Sequence, residues 1–241
     1  MEKRYLQLYS IKDETAKDFK AALKKVKEAG YTGVEFAGNY GGMSAAELKK
    51  FLADLGLEPI SAHIISDKVE ENLEFCAELG LKYIIDPAQG MKTDEEAEAF
   101  SKKLNTVGKM CKDKGIIFGY HNHAFEFAAG KNGTLMDTLM INTDPDLVCF
   151  QLDCGWVANA KHDPVAFINK YAGRIKMIHV KEWDNEKEWD VASGKGSIDW
   201  AAVRDAALAQ GTDAFVVERE HDYAGNIYTC IEEDCDFLKS L

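Results

Sequence analysis

The sequence predicts an α/β fold: a single parallel (β/α)8 TIM barrel formed by residues 1–241. Three observations lead to it. Eight short apolar runs alternate with longer amphipathic stretches, and no Pro/Gly/Ser-rich linker or low-complexity segment interrupts them. The length, 241 residues, is close to the roughly 250 residues that eight strand–helix units occupy. An open doubly wound sheet is the competing architecture. It calls for a glycine-rich phosphate loop after the first strand, and "QLYSIKDET" (7–15) has none.

The first run is "YLQLYS" (5–10). "TAKDFKAALKKVKEAG" (15–30) then places Phe19, Leu23 and Val26 on one helical face and stops at Gly30. "GVEFAG" (33–38) is the second run. "SAAELKKFLADLG" (44–56) opens with Ser44 and Glu47 at capping-box spacing and closes at Gly56. "EPISAHI" (58–64) and "KYIIDP" (82–87) follow, then the helix pattern "TDEEAEAFSKKLNTVGKMCKDKG" (93–115). The remaining runs are "IIFGYH" (116–121), "VCFQLD" (148–153), "IKMIHV" (175–180) and "AFVVER" (214–219), with helix patterns at 163–173 and 199–211. All eight runs are rich in Ile, Val, Phe or Tyr, as strands covered on both faces should be.

Charge narrows the function. Twenty-nine basic and 41 acidic residues give a net charge of −12, spread along the chain. Such a surface repels phosphate backbones and anionic lipid, so nucleic acid and membranes are excluded as expected partners. No stretch reaches the roughly 20 apolar residues of a membrane span, and "MEKRYLQLYS" lacks the apolar core of a signal peptide. The six cysteines are scattered without a CxxC pair and read as buried thiols of a cytoplasmic protein.

In a barrel of this kind chemistry gathers at the C-terminal ends of the strands. Those ends carry Glu35, His63, Asp86, His121 with His123 and Glu126 close behind, Asp153, His179 followed by Lys181, and Glu218 followed by Glu220. Each has an ordinary structural explanation. Asp86, for example, reads as a cap for the helix that follows. Convergence argues otherwise: Asp153, His179 and Glu218 end neighbouring strands and face one mouth. Carboxylates packed that closely raise one another's pKa values unless a cation lies between them. Two carboxylates with an imidazole suit Mn, Co, Fe or Zn better than Ca.

"YTGVEF", "SAHI", "GYHNHAFEF", "LDCGWVANAKHDP", "GRIKMIHVKEW", "GKGSIDW" and "VVERE", taken together, resemble the xylose isomerase-like barrel superfamily and, within it, the sugar phosphate isomerase/epimerase branch. That group includes ketose 3-epimerases, hydroxypyruvate isomerases, inosose dehydratases and abasic-site endonucleases. The resemblance implies one divalent metal (Mn, Co, Fe, Zn or Mg) in a Glu-Asp-His-Glu site, with two glutamates moving protons in the epimerases. Asp153, His179 and Glu218 match three of the places. The fourth falls at Tyr120 or His121, so either His121 coordinates or Glu126 reaches back. Glu126 is the preferred ligand.

The expected activity is a metal-dependent isomerase or epimerase of a sugar, sugar phosphate or keto-sugar, acting through an enediolate. A lyase or dehydratase on a cyclic keto-sugar and a non-catalytic sugar-binding barrel are the alternatives. His121, Glu126, Glu218 and Lys181 are the candidate proton carriers. Glu35, His63, His123, Trp156, Trp183, Lys195 and Glu220 are candidate substrate contacts. The expected partner is a small carbohydrate, and a homo-oligomer is compatible with the sequence.

Overall fold

Eight parallel strands close on themselves in sequence order. They are β1 (Tyr5–Gln7), β2 (Gly33–Phe36), β3 (Glu58–His63), β4 (Tyr83–Asp86), β5 (Ile117–His121), β6 (Val148–Asp153), β7 (Ile175–Val180) and β8 (Ala214–Val217). The computed structural model describes residues 1–87, 90–221 and 223–241. Tyr5 and Leu6 pair with Val216 and Val217, which joins the last strand to the first. Helices surround the barrel, and two short antiparallel hairpins stand outside it, Ala129–Gly130 with Gly133–Thr134 and Glu182–Asp184 with Trp189–Val191.

The two-residue period of a strand sorts side chains into two layers. Outward residues pack against the helices in the larger apolar core. Inward residues such as Tyr5, Ile60, Ile85, Cys149, Met177 and Val216 form a separate apolar plug. Two residues further along several strands the inward side chain turns polar: Gln7 after Tyr5, Gln151 after Cys149, His179 after Met177, Glu218 after Val216. The barrel therefore has an apolar floor beneath a polar mouth. On β5 the inward floor position is Gly119. A Cβ there would lie 2.8 Å from both Cys149 Sγ and Ile85 Cδ1, so the plug leaves no room for one.

Several elements differ from the sequence reading in their extent. Residues 15–30 are not one helix: Lys12–Lys17 and Phe19–Glu28 are separate, because Asp18 is extended (φ −153°) and its carboxylate caps Ala21 N. The first run is strand only to Gln7, whose side chain accepts from Tyr9 N and turns residues 8–11 into a 3-10 helix. Asp86 does not cap the next helix, which Thr93 caps. Its carboxylate accepts instead from the Ser66 backbone and hydroxyl. Helices at Val69–Leu79, Leu135–Asn142 and Ile227–Ser240 complete the ring. All six cysteines are buried free thiols. Among the described residues no helix is long and apolar enough to cross a membrane.

The Ser44–Glu47 capping box forms as the spacing predicts, with Gly56 left-handed at the far end. Ser44→Ala removes an acceptor for the Glu47 amide and is expected to lower stability by about 1 kcal/mol. Chemical denaturation checks this, and an unchanged midpoint would show that water replaces the cap.

Candidate metal centre

Four inward side chains on consecutive strands meet at the mouth. One ligand atom each from His121, Asp153, His179 and Glu218 lies within 4.8 Å of every other. Register explains the meeting, since Asp153 pairs with His179 and His179 with Val216, two residues before Glu218. Glu218 lies just beyond β8, and its N–H continues the ladder to Val180 O at 3.3 Å.

Beneath this cluster sits Glu35, fully buried. Oε1 accepts from Gln7 Nε2 (2.7 Å) and Oε2 from Ser61 Oγ (2.6 Å) and Gln151 Nε2 (2.7 Å). His179 Nε2 lies 2.6 Å from Oε1, so its Nε2–H donates to the carboxylate. That leaves His179 Nδ1 facing Glu218 Oε2 at 3.2 Å and Asp153 Oδ2 at 3.7 Å. His121 is fixed in a similar way: its Nδ1 lies 3.1 Å from Gln151 Oε1, an acceptor, which leaves Nε2 unprotonated. A partner that holds one ring nitrogen and frees the other is the arrangement that orients metal-binding histidines.

The electrostatics also fit a cation. Burial alone would discharge His179, yet Glu35 and Glu218 hold its pKa well above the imidazole range. Burial likewise works against ionised Glu35, but His63 and His179 hold it well below the carboxylate range. Asp153 is pushed up to about 6, chiefly by burial. Its Oδ1 accepts from Trp156 N at 2.8 Å, at the start of the Cys154–Asn159 helix. Oδ2 is buried with no hydrogen-bond partner among the described residues. An orphaned carboxylate oxygen beside a second carboxylate is costly, and a divalent cation would satisfy both. The imidazole and carboxylate donors suit a first-row divalent ion.

Lys181, two residues past His179, is only 1% exposed. Its ammonium lies 2.6 Å from Glu220 Oε1, 3.7 Å from Asp190 Oδ2 and 4.0 Å from Glu218 Oε2, with the Trp156 ring 5.2 Å below. Burial opposes the charge, but these carboxylates outweigh it and raise the pKa. Gly155 makes room for the stem, since a Cβ there would lie 2.8 Å from Lys181 Cγ. Asp190, on the outer hairpin, also accepts from Glu220 N (2.9 Å) and so fixes the Lys181–Glu220 pair from outside the barrel.

The other expected site residues fall in different places. His63, His121, His123, Glu218 and Glu220 line a cavity of about 230 Å³. Trp156 stands beside it, 5.5 Å from the His123 ring. Glu35 is enclosed by protein groups and faces the donor cluster from below. Glu126 lies apart from the cluster: Oε1 accepts from Tyr120 Oη (2.6 Å) and Oε2 from His123 N (2.8 Å). Burial pushes its pKa up to about 7. Trp183 is buried at the base of the hairpin, and Lys195 is exposed on the 192–199 loop that buried Glu182 ties down through Gly194 N and Trp200 Nε1. Gln7, Ser61, Gln151 and Asp190 were not anticipated. The two glutamines carried a signal, being amides inside apolar runs.

A closed (β/α)8 barrel with imidazole and carboxylate donors at its C-terminal mouth defines a class of barrel enzymes. The chain belongs to the xylose isomerase-like TIM barrel family, whose model matches residues 23–241. Among curated proteins it is 31% identical to an inosose dehydratase of Clostridium beijerinckii, over 90% of this chain and 83% of that one. It is 26% identical to an inosose dehydratase of Bacillus cereus over the same shares. A solved sugar phosphate isomerase/epimerase from Parabacteroides distasonis is 28% identical, with a TM-score of 0.85, covering 100% of this chain and 99% of that one. L-Ribulose 3-epimerase, at 16% identity and a TM-score of 0.77, shares the fold.

Glu35→Gln keeps the size of the side chain but removes the charge that orients His179. Divalent-metal affinity, read by calorimetric titration, is expected to fall about 10- to 100-fold. Wild-type affinity in this variant would mean that Glu35 only fills space.

Proposed function

We propose that this protein is a divalent-metal-dependent dehydratase that removes water from a keto-sugar or cyclic keto-polyol. The observation that carries the reading is the separation of the two glutamates. Glu218 stands in the donor cluster, whereas Glu126 is turned to Tyr120 and His123, and His121 stands where a second glutamate would serve an epimerase. Inverting one carbon calls for proton carriers on both of its faces. Eliminating a β-hydroxyl calls for one base and one acid. The names of the curated relatives favour the same chemistry.

His121, Asp153, His179 and Glu218 are the proposed metal ligands, with His121 in place of Glu126. Bound there, a divalent cation supplies a Lewis acid that polarises the substrate carbonyl and acidifies the neighbouring C–H. His123 is placed to take that proton. Its ring lines the cavity, its Nδ1 has no hydrogen-bond partner among the described residues, and burial lowers its pKa, so the imidazole stays neutral. The imidazolium then returns the proton to the departing hydroxyl, giving an enone and water. Lys181 keeps its own proton and stabilises negative charge on the oxygen.

A second reading, isomerisation or epimerisation through the same enediolate, is favoured by the likeness to the Parabacteroides distasonis structure. Incubation of metal-loaded protein with a cyclic keto-polyol in D₂O separates the two. The dehydratase reading expects loss of water and an ultraviolet-absorbing enone. Deuterium incorporation into an isomer that keeps all its oxygens would establish the second reading instead.

The ligand assignment has its own test. His121→Asn is expected to lower metal affinity about 10-fold or more, while Glu126→Ala retains the metal. Calorimetric titration showing the opposite order would return Glu126 to the metal.

A further inference from the structure

The cavity over the metal centre does not end at the cluster. At about 230 Å³ it falls below the roughly 300–1,000 Å³ usual for a whole ligand site. Tyr9, His63 and Pro87 line it, and the same three residues line a neighbouring space of about 470 Å³ toward the loops after β2 and β3. A molecule held over the metal therefore has a direct path into this second space.

The lining of that space is mostly apolar. Ala37, Ile64 and Ile65 contribute aliphatic surface, and Tyr40 closes one side, held between Phe36 (5.1 Å between ring centroids) and Phe75 (4.8 Å). Two large apolar side chains are left open to solvent at this place, Tyr9 at 41% and Ile65 at 48%. The Tyr40 hydroxyl is buried without a hydrogen-bond partner among the described residues, a donor suited to an ether or hydroxyl oxygen. Charge argues against a phosphate. Among the described residues the one lysine in the lining, Lys68, is paired with Glu71 at 3.1 Å, and Lys12 lies over the Tyr9 ring at 3.9 Å. On the metal side Glu218 and Glu220 add negative charge.

We propose that the barrel mouth has a second compartment that binds an apolar ring carried by the substrate. The natural substrate is then a carbohydrate joined to such a ring and not a sugar phosphate. This deepens the reading of the mouth as a carbohydrate site and rests on it.

Calorimetry on the metal-loaded full chain tests the proposal with two unreactive probes, methyl and phenyl β-D-glucopyranoside. The phenyl compound is expected to bind at least about 10-fold more tightly, through the apolar area it buries. Ile65→Asp sets a charge in the compartment and Ala37→Phe fills it. Each is expected to bring the two probes within about 2-fold of each other, with metal content and methyl glucoside affinity unchanged. Equal binding of both probes to the wild type, a preference that survives both substitutions, or tighter binding of glucose 6-phosphate than of the phenyl compound overturns the compartment. Failure of both glucosides to bind overturns it too. The enone assay in D₂O decides the dehydratase reading separately.

Discussion

The mouth of this barrel depends on one buried carboxylate. Glu35 has no solvent exposure, and its two oxygens are contacted by Gln7 from β1, Ser61 and His63 from β3, Gln151 from β6 and His179 from β7. An ionised carboxyl in that position would be strongly destabilising without partners, and with them it ties strands from opposite sides of the barrel. It also fixes which nitrogen of His179 carries the proton, and through Gln151 it extends the same control to His121. The donor geometry above is thus set from below. The apolar plug beneath Glu35 excludes water from that underside.

This layering explains what the sequence made legible. A strand buried on both faces is apolar throughout, so a polar residue within it must have a partner inside the barrel. Asp153, His179 and Glu218 stand at the ends of such strands, and their convergence follows from the topology alone. Gln7 and Gln151 obey the same rule one layer lower. They are less legible because a neutral amide suggests no chemistry when its partners come from distant strands. Glu35 shows the reverse error. A carboxylate at a strand end reads as a substrate contact, and only the closed barrel reveals that five protein groups already surround it.

Residues on loops are less legible in the sequence than residues on strands. Lys181 follows β7 and stands out in the sequence as a candidate proton carrier, but its burial is not legible there: the hairpin of residues 182–191 folds over it and brings Asp190 to the ammonium. Nothing local in "VKEWDNEKEWDV" encodes that closure, which depends on Glu182 holding the following loop and on Gly155 leaving space across the interface. Glu126 is a similar case. It lies five positions after His121, and a 3-10 turn at Phe125–Phe127 directs its carboxylate to Tyr120 and His123 N instead of to the cluster. Loop conformation, unlike strand register, has no period from which to read direction.

The balance of charge at the mouth links these parts. Asp153, Glu218, Glu220 and Asp190 bring four carboxyl groups toward one buried ammonium and the His179 imidazole. With Glu35 below, the acidic groups outnumber the protein's own cations, and burial makes each unpaired charge expensive. The charge on His179 relieves part of this excess, but its ring lies between Glu35 and Glu218 and leaves Asp153 Oδ2 without a hydrogen-bond partner among the described residues. A divalent cation among His121, Asp153, His179 and Glu218 would relieve the excess where it is greatest and release His179 to act as a neutral ligand through Nδ1. Lys181 would then remain outside the donor cluster, paired with Glu220. Its positive charge would then be left for a substrate oxygen, since the proposed ion would neutralise the carboxylates beneath it.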